Sequence, residues 1–383
     1  MDSNSQQREH VAKWLRLHLS DQVGSRTFAK LLKALGGIDQ VLGATAGELA
    51  RVGGIGPKKA EQIAHSRDNL DIEAELALAD RLGVRIITFE MDDYPKLLRE
   101  IADPPHVLYV KGRLIEADEF SIAIVGSRNC SLYGQEQASR LSHLLAAAGF
   151  TVVSGMARGI DTAAHRGALA ADGRTIAILG CGLAKAYPSE NRDLADMISQ
   201  QGALVSELPL TFEPLATTFP MRNRIISGLT LGVIVVEARP QSGALITARL
   251  ATEQNREVMA VPGRIDAPGS WGPHQLIKDG AKLVEKIEDV LEGLGQIGQL
   301  VRDHTVEATA QARQKIEPAL FDAKQFKLSP LEEKALDCLN HEPTHIDEII
   351  SRTGLSASQV NAAITSLQLK GLLKQLPGNY CRK

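Results

Sequence analysis

The stretch Ser121–Arg128, which reads SIAIVGSR, decides the fold of this chain. Its segment Ile122–Val125 is continuously apolar and partly β-branched, a pattern typical of a strand buried on both faces of a parallel sheet. The run stops at the small-residue turn Gly126-Ser127-Arg128, and an amphipathic segment, Gln135–Ala148, follows. Ligands of open α/β sheets bind just beyond the carboxyl ends of the strands. We therefore expect Gly126–Arg128 to lie on a binding edge.

The same alternation of strand and helix patterns continues to residue 286. Further strands are predicted at Thr151–Ser154, Thr175–Leu179, Ala203–Ser206, Gly232–Glu237 and Glu257–Val261. Helical patterns separate most of them. This order predicts an α/β fold with a Rossmann-like, doubly wound and mostly parallel sheet.

Three other regions flank the predicted sheet. Residues 1–70 carry apolar side chains at helical spacing and predict a helical domain of the SAM or helix-hairpin-helix type. Residues 71–120 keep their apolar periodicity, with strands at Val84–Phe89 and Val107–Val110, so we assign 71–290 to one extended Rossmann-like domain. Residues 291–327 are polar and weakly patterned, and they predict a linker.

The C-terminal region, residues 328–383, predicts a winged helix: three helices followed by a β-hairpin. The predicted elements are helices at Leu331–Leu339 and Ile346–Thr353, the latter capped by Thr344, a third helix capped by Ser356, and a hairpin at Leu372–Cys381. The third helix and its surroundings carry few net positive charges, whereas a reader of the DNA major groove needs many. A protein contact or an auxiliary DNA contact is therefore expected of this domain.

A turn in the helical domain, Val52–Ala60, contains the core Gly-Ile-Gly-Pro-Lys and resembles the hairpin of a helix-hairpin-helix motif. In such a hairpin the glycines let the backbone turn so that N–H groups at a helix start face a phosphate. Gly56, Lys58 and Lys59 are therefore predicted as auxiliary phosphate contacts. The alternative is a plain turn between packed helices.

Small residues and cations recur where the central strands end. Glycine and serine let a backbone approach a phosphate, and arginine pairs with phosphate through a planar fork. The predicted contacts are Gly126, Ser127, Arg128, Ser154, Gly155, Arg158, Gly180, Gly182, Lys185, Arg222, Asn223, Arg224, Arg239, Ser242 and Gly243. So many cations on one edge exceed the needs of a single mononucleotide phosphate. They favour an extended anion, and single-stranded nucleic acid is the natural candidate.

The sequence lacks the motifs of several enzyme classes. The first strand–helix turn has no G-x-G-x-x-G, which disfavours a dinucleotide dehydrogenase, and the chain has no G-x-x-x-x-G-K-[ST] for nucleotide hydrolysis. Asp161 and His165 stand four residues apart, a spacing more often structural than catalytic. Glu207 and Glu237 follow buried strands and are candidates either for acid–base chemistry or for holding a neighbouring arginine such as Arg222 or Arg224.

Composition limits the partners and the cellular compartment expected of the chain. The net charge of -3 shows no global preference for nucleic acid, so binding would need a local patch. The four cysteines are far apart and form no CxxC pair, which predicts no metal site and fits a reducing cytoplasm. The sequence has no apolar signal core and no run long enough to span a bilayer. We expect no cofactor and no membrane contact.

The loops taken together resemble the DNA-processing protein A family (DprA/Smf). The matching segments are Gly126–Arg128, Ser154–Asp161, Gly180–Gly182, Tyr187-Pro188, Ser206–Pro209, Phe219–Gly228, Val236–Ala238, Ser242–Thr247 and Val261–Gly263, with Tyr94-Pro95 and Asp103–Pro105 upstream. The resemblance implies a cytoplasmic, non-enzymatic protein that binds single-stranded DNA, protects incoming DNA and loads RecA onto it in natural transformation. It also implies a homodimer formed through the Rossmann-like domain. It assigns DNA contact to Arg128 and, further along, to Arg222 and Arg224.

One departure from the family pattern and one alternative stay open. Some members carry a lysine after the Tyr-Pro of the third loop, where this chain has Ser189. Lys185 and Arg192 are candidates to compensate. The alternative is an enzyme resembling the lysine-decarboxylase-like phosphoribohydrolases, although their Pro-Gly-Gly-x-Gly-Thr loop is missing and Ser242–Thr247 is the nearest segment.

Overall fold

The computed structural model describes residues 3–296, 298, 328–339, 344–369, 373–376 and 379–382. The chain divides into two compact units, Met1–Thr309 and Ala310–Lys383. The predicted linker 291–327 falls mostly outside the described residues.

The first unit begins with helices and continues as a strand–helix alternation. Its helices are α1 Ser3–His18, α2 Ser25–Leu35, α3 Ile38–Gly43, α4 Ala46–Leu49, α5 Pro57–Asn69, α6 Ile72–Leu82, α7 Lys96–Arg99, α8 Leu132–Ala147, α9 Ile160–Ala170, α10 Arg192–Gln201, α11 Thr218–Gly228, α12 Gly243–Glu253, α13 Trp271–Lys278 and α14 Ile287–Gly293. Its strands are β1 Val84–Thr88, β2 Val107–Gly112, β3 Ser121–Val125, β4 Thr151–Ser154, β5 Thr175–Ile178, β6 Ala203–Ser206, β7 Gly232–Val235, β8 Glu257–Ala260 and β9 Lys282–Leu283.

All nine strands form one sheet in the order β1-β2-β6-β5-β4-β3-β7-β8-β9. Neighbouring strands pair in parallel along the run β6-β5-β4-β3-β7-β8-β9. By contrast, β2 pairs antiparallel with both β1 and β6. The mostly parallel, doubly wound sheet predicted from the sequence is thereby confirmed. β3 is buried along its whole length, as its apolar run predicts. The two-residue edge strand β9 was not predicted, because so short a segment carries no periodicity.

The chain reverses its winding direction between β3 and β7. These strands are parallel neighbours, with Ile122 beside Gly232 and Val125 beside Val235. The helix that follows β3, α8, packs against α9, whereas α12, which follows β7, packs against α11. The loops that leave β3 and β7 therefore diverge. A crevice at such a switch point is the usual ligand site of this architecture.

The N-terminal helices share a hydrophobic core with the sheet. Trp14 and Phe28 are buried in one cluster with Tyr109 of β2, and the Phe28 ring stacks on His106 at 4.4 Å between centroids. The boundary expected at residue 70 falls between helices α5 and α6, and side chains on both sides of it share this core. The boundary expected at residue 290 falls inside α14, where Val290 and Leu291 are buried.

The second unit has the predicted winged-helix arrangement. Its elements are α15 Pro330–Asp337, β10 Thr344–His345, α16 Ile346–Thr353, α17 Ala357–Leu369, β11 Leu373–Leu376 and β12 Asn379–Arg382, with sheet order β10-β12-β11. Ser356 Oγ accepts from the Gln359 N–H, as a cap of α17 should. The prediction that Thr344 caps α16 is wrong: Thr344 pairs with Tyr380 in β10, and the His345 side chain caps the helix instead. Residues 377 and 378 of the predicted turn lie outside the described part of the chain.

Candidate nucleic-acid interface

A cavity of about 720 Å³ opens at the switch point between β3 and β7. Its walls come mainly from the loop after β3, the loop between β7 and α12, and α11, and Ala157 and Asp161 after β4 complete them. The lining includes the predicted contacts Gly126, Ser127, Arg128, Arg222, Asn223, Arg239, Ser242 and Gly243. The fold therefore brings these residues to one site, although they come from three separate segments.

Arg128 and Arg239 are the exposed cations of this cavity. The Arg128 guanidinium lies over the Phe219 ring, with its central carbon 5.1 Å from the ring centroid. A cation over an aromatic face is held in a defined position while its N–H groups remain available. Within the described residues neither Arg128 nor Arg239 lies within ion-pair distance of a carboxylate. Both side chains therefore offer charge to an anion in the cavity.

Arg222 lines the cavity, but its guanidinium is bonded within the protein. It is only 4% exposed, and its Nη1 donates to the carbonyl oxygens of Gly155, at 2.7 Å, and Ile178. Burial lowers the pKa of Arg222 to about 10, against the opposing effect of Asp161, so the side chain stays charged at neutral pH. Its main contact is with the ends of β4 and β5. Arg222 thus holds two strand ends beneath the cavity.

The backbone N–H groups of the loop after β4 bind a carboxylate of the protein itself, that of Asp161. Asp161 Oδ2 accepts from the backbone N–H groups of Gly155 and Ala157, at 3.1 and 3.3 Å. Burial raises the pKa of Asp161, with Arg222 opposing the shift. The predicted reason for Gly155 was close approach to a phosphate. The structure gives another: a Cβ at this position would overlap the Arg222 guanidinium. Ser154 likewise points inward, its Oγ donating to the Ile124 carbonyl oxygen.

Arg224 forms a buried ion-pair network away from the cavity. Its Nη2 lies 2.5 Å from Glu207 Oε2, and its Nε lies 3.6 Å from Asp103 Oδ2. Burial raises the pKa of Glu207, and Arg224 opposes that rise. Of the two roles open to Glu207, holding an arginine in place is the one this geometry favours.

Glu237 is also used internally. It is 8% exposed, and its carboxylate accepts from the Ser131 N–H at 2.9 Å and from the Ser131 hydroxyl. A Cβ on Gly134 would come within 2.6 Å of the Glu237 carboxyl carbon. The carboxylate therefore fastens the start of α8 to the end of β7. This geometry favours the structural role over general acid–base chemistry.

His165 and Asp161 do not form a dyad. His165 is fully buried on α9, and its Nδ1 is hydrogen-bonded to Thr175 Oγ1 at 2.7 Å. Burial, with a smaller effect from Arg222, lowers the pKa of His165 to about 3. A neutral, buried imidazole bonded to a strand hydroxyl is a packing residue, as the spacing alone suggests.

Two further predicted contacts, Arg158 and Lys185, lie outside the cavity. Arg158 pairs with Glu190, and Lys185 Nζ lies 3.4 Å from Glu213. All four side chains are largely exposed, so these pairs are weak and exchangeable. The glycines of the third loop serve internal packing: a Cβ on Gly180 would meet Phe219 at 2.9 Å, and one on Gly182 would overlap the Leu210 and Pro209 carbonyl oxygens.

The start of α12 borders open space. Ser242 caps the helix by accepting from the Ala244 N–H at 3.3 Å, and Asn223 Nδ2 donates to the Gly243 carbonyl at 3.3 Å. A Cβ on Gly243 would have no neighbour within 4 Å, whereas one on Gly126 would meet Ile160 at 2.6 Å. Of these two glycines, Gly243 therefore faces the cavity and Gly126 serves packing.

Apolar side chains lie beside these cations, and no role is predicted for them from the sequence. The Phe219 ring lies 5.6 Å from that of the exposed Tyr187, and Leu215 and Met221, which are close to Phe219 in sequence, are exposed as well. Stacking on aromatic faces is how proteins hold unpaired bases. The available signal was an aromatic residue three positions before Arg222, at the start of a helix.

The predicted auxiliary contacts lie in the turn between α4 and α5. Gly56 is exposed, and a Cβ on it would have no neighbour within 4 Å; Lys58 is exposed beside it. Lys59 is partly buried, and its Nζ donates to Thr27 Oγ1 at 3.0 Å.

Among the described residues no cluster of histidine, cysteine and carboxylate side chains has metal-binding geometry. No described helix is long and apolar enough to cross a membrane.

Family comparisons cover most of the chain. The family model for DNA recombination-mediator protein A matches residues 85–295, the DprA-like N-terminal HHH domain matches 8–77, and the DprA winged helix domain matches 319–379. Protein Smf of Synechocystis is 37% identical over 352 residues, which are 86% of this chain and 88% of that protein. Protein Smf of Escherichia coli is 41% identical over 312 residues, 81% of this chain and 80% of that protein.

Solved structures agree with these matches. The crystal structure of DNA processing protein A from Streptococcus pneumoniae aligns with a TM-score of 0.66 and 36% identity, over 73% of this chain and 97% of that one. The Helicobacter pylori protein, described for its single-stranded DNA binding mode, aligns with a TM-score of 0.50 and 30% identity, over 57% and 97%. The chain therefore belongs to the DNA recombination-mediator protein A family, the DprA/Smf family that its loop motifs resemble.

Proposed function

We propose that this chain binds single-stranded DNA along the carboxyl edge of its sheet. The observation that carries the proposal is the placement of Arg128 over Phe219 at the mouth of the switch-point cavity. A guanidinium fork suits a phosphate, and an aromatic ring suits an unpaired base. The described binding mode of the Helicobacter pylori relative supports the same ligand.

The predicted contacts divide into two groups under this proposal. Arg128, Arg239, Ser127, Ser242 and Gly243 meet the strand in the cavity, and Arg158 and Lys185 extend the path. Arg222, Arg224, Asn223, Ser154, Gly155, Gly180, Gly182 and Gly126 act as positioning residues, because their polar groups or packing contacts are taken up within the protein. Gly56, Lys58 and Lys59 do not line the cavity and belong to neither group, so they stay predicted auxiliary phosphate contacts outside this single-strand path.

In the cell we propose a non-enzymatic role. The chain would protect incoming single strands and load RecA onto them in natural transformation and homologous recombination, in the cytoplasm. Membership of a recombination-mediator family supports the pathway. The internal bonds of Glu237 and Glu207 support a binding role over phosphoribohydrolase chemistry, since neither carboxylate is free to act on a nucleotide.

We also propose a homodimer through the Rossmann-like domain. Ile265 is 95% exposed, and Trp271 and Leu283 are exposed near the same edge of the sheet. β9 is an edge strand, so its outer side has no partner strand within the described sheet. Burial of these side chains against a second copy would remove a large apolar area from water. Sedimentation of the full chain as a monomer at micromolar concentration would contradict the dimer.

The experiment that tests DNA binding is a titration of a labelled oligothymidylate at several KCl concentrations. If Arg128, Arg158, Lys185 and Arg239 each neutralise one phosphate, log affinity should fall against log salt with a slope of about -2.8, at ~0.7 per contact on a single strand. An affinity that does not change with salt would overturn the proposal.

A further inference from the structure

A second cationic surface lies on the N-terminal helices, apart from the switch-point cavity. It consists of α2 residues Arg26, Lys30 and Lys33 together with Lys58 and Lys59 from the start of α5, and we call it the α2 surface. Of these, only Lys59 is partly buried, and the others are exposed. The two α5 lysines belong to the helix-hairpin-helix segment predicted to contact phosphate, whereas the α2 residues lie outside it.

Helical spacing puts the three α2 cations on one side. Positions 26, 30 and 33 fall on a single face of α2, whereas Phe28 and Leu31 of the same helix are buried in the core. At a rise of about 1.5 Å per residue the stripe is ~10 Å long. It can therefore contact more than one phosphate of the same backbone.

The turn before α5 adjoins this stripe. Lys30 Nζ lies 3.2 Å from the position that a Cβ on Gly54 would occupy, and Lys59 Nζ is bonded to Thr27 of α2. In the part of the chain that the structure describes, Lys30, Lys33 and Lys58 have no carboxylate at ion-pair distance. Arg26 has one at 3.7 Å, Asp103, which Arg224 also contacts. The α2 surface is thus a continuous patch whose charge is largely uncompensated.

The α2 surface differs from the cavity in one respect that decides its ligand. Among residues 5–70 no large apolar or aromatic side chain is exposed, whereas Phe219 lines the cavity under Arg128 and its ring lies 5.6 Å from that of the exposed Tyr187. Single strands need faces on which bases can stack. Duplex DNA hides its bases and presents closely spaced phosphates, which cations alone can neutralise.

We propose that the α2 surface binds the phosphate backbone of double-stranded DNA, independently of single-strand binding in the cavity. Recognition is by charge, without sequence preference, because none of the side chains involved is placed by hydrogen bonds to read base edges. The protein then has separate surfaces for the two forms of DNA.

The test uses the full chain with two labelled probes, a blunt duplex of mixed sequence and an oligothymidylate of the same length. The variant Lys30→Gln/Lys33→Gln/Lys58→Gln removes three exposed charges. The control Arg81→Gln/Arg140→Gln/Arg166→Gln removes three exposed charges from α6, α8 and α9. Both variants should keep the parent's thermal unfolding, since all six side chains are exposed.

For the parent and the control, log affinity for the duplex should fall steeply with log salt. In the α2-surface variant duplex binding should weaken, and the slope should become shallower by about 2.7, at ~0.9 per lost contact. Oligothymidylate binding should stay as in the parent, whereas Arg128→Ala should weaken it and leave duplex binding unchanged. This last contrast separates failure of the inference from failure of the proposed function.

Four results would overturn the inference. The parent fails to bind the duplex, which would leave an acidic protein as the occupant of the surface. The variant keeps the parent's duplex affinity and slope. The control loses as much duplex affinity as the variant. Lastly, the variant loses oligothymidylate and duplex binding equally, which would make the α2 surface part of the single-strand path.

Discussion

Arg222 and Gly155 pack so closely that a Cβ at position 155 would displace the Arg222 guanidinium. Arg222 Nη1 donates to the Gly155 carbonyl oxygen at 2.7 Å, and a Cβ on Gly155 would overlap the guanidinium. Through the same Nη1 the arginine reaches the Ile178 carbonyl at the end of β5. One helix, α11, thereby fixes the ends of two strands and also carries Phe219 to the cavity. The geometry of the binding edge therefore depends on a contact that is itself buried.

This packing predicts that Gly155→Ala destabilises the fold. The added methyl forces the buried, hydrogen-bonded guanidinium to move, and overpacking of this kind costs about 1–3 kcal/mol. Urea unfolding measures the loss. The matched control is Gly243→Ala, because a Cβ there has open space, and it should unfold like the parent. Equal stability of the two variants would contradict the packing argument.

The arginines of α11 also mark the limit of sequence reasoning. An arginine near a strand end is a sound prediction for an anion site, and Arg128 and Arg239 do line the cavity. The partners that bury Arg222 and Arg224 are Gly155, Ile178, Glu207 and Asp103. They lie far away in sequence, and only the folded chain brings them together. No local pattern distinguishes an arginine that faces solvent from one that ties two loops.

The strands were more predictable for a physical reason. β4 and β6 have the predicted bounds, and β5, β7 and β8 end one or two residues early. These strands are short apolar runs buried between helices, so their composition is fixed by burial on both faces. β9 has only two residues, and neither is buried. Helix starts were less predictable, because a cap depends on one side chain. At the start of α16, for example, Thr344 was the predicted cap and His345 is the observed one.

Phe219 should contribute to single-strand binding through stacking. Phe219→Leu keeps an apolar side chain but removes the ring beneath Arg128, and loss of one base–aromatic stack costs about 1–3 kcal/mol, or roughly 5–150-fold in affinity. Fluorescence anisotropy with an oligothymidylate gives the affinity. Phe120→Leu is the control, since Phe120 is exposed just before β3, at the opposite end of that strand. Similar affinities for the two variants would argue against stacking.

His165 should contribute to a loss of stability in mild acid, together with His18 and His106, whose pKa values burial lowers to about 4. The pKa of His165 is about 3 in the folded chain and ordinarily near 6.5, so below pH ~6.5 the unfolded chain takes up a proton that the folded chain excludes. The stabilisation that comes from keeping His165 neutral in the folded chain is complete above pH ~6.5, and it is lost as pH falls toward ~3. Between pH ~6.5 and ~5 the loss is about 2 kcal/mol, at ~1.36 kcal/mol per pH unit.

The variant His165→Asn isolates this contribution. It lowers stability at every pH because it leaves space in the core, so the readout is the difference between urea unfolding at about pH 7 and about pH 5. That difference should shrink by about 2 kcal/mol relative to the parent. The exposed His65 supplies the control, and His65→Asn should keep the parent's difference. An unchanged difference in His165→Asn would mean that another group causes the acid sensitivity.

The most direct test of the account compares Arg128→Ala with Arg128→Lys in oligothymidylate titrations over a range of salt concentrations. If Arg128 contacts a phosphate, the alanine variant binds more weakly and its salt slope is shallower by about 0.7. The lysine variant keeps the slope but loses affinity, because it keeps the charge without the planar fork. Parent-like affinity and slope in Arg128→Ala would contradict single-strand binding at the switch-point cavity.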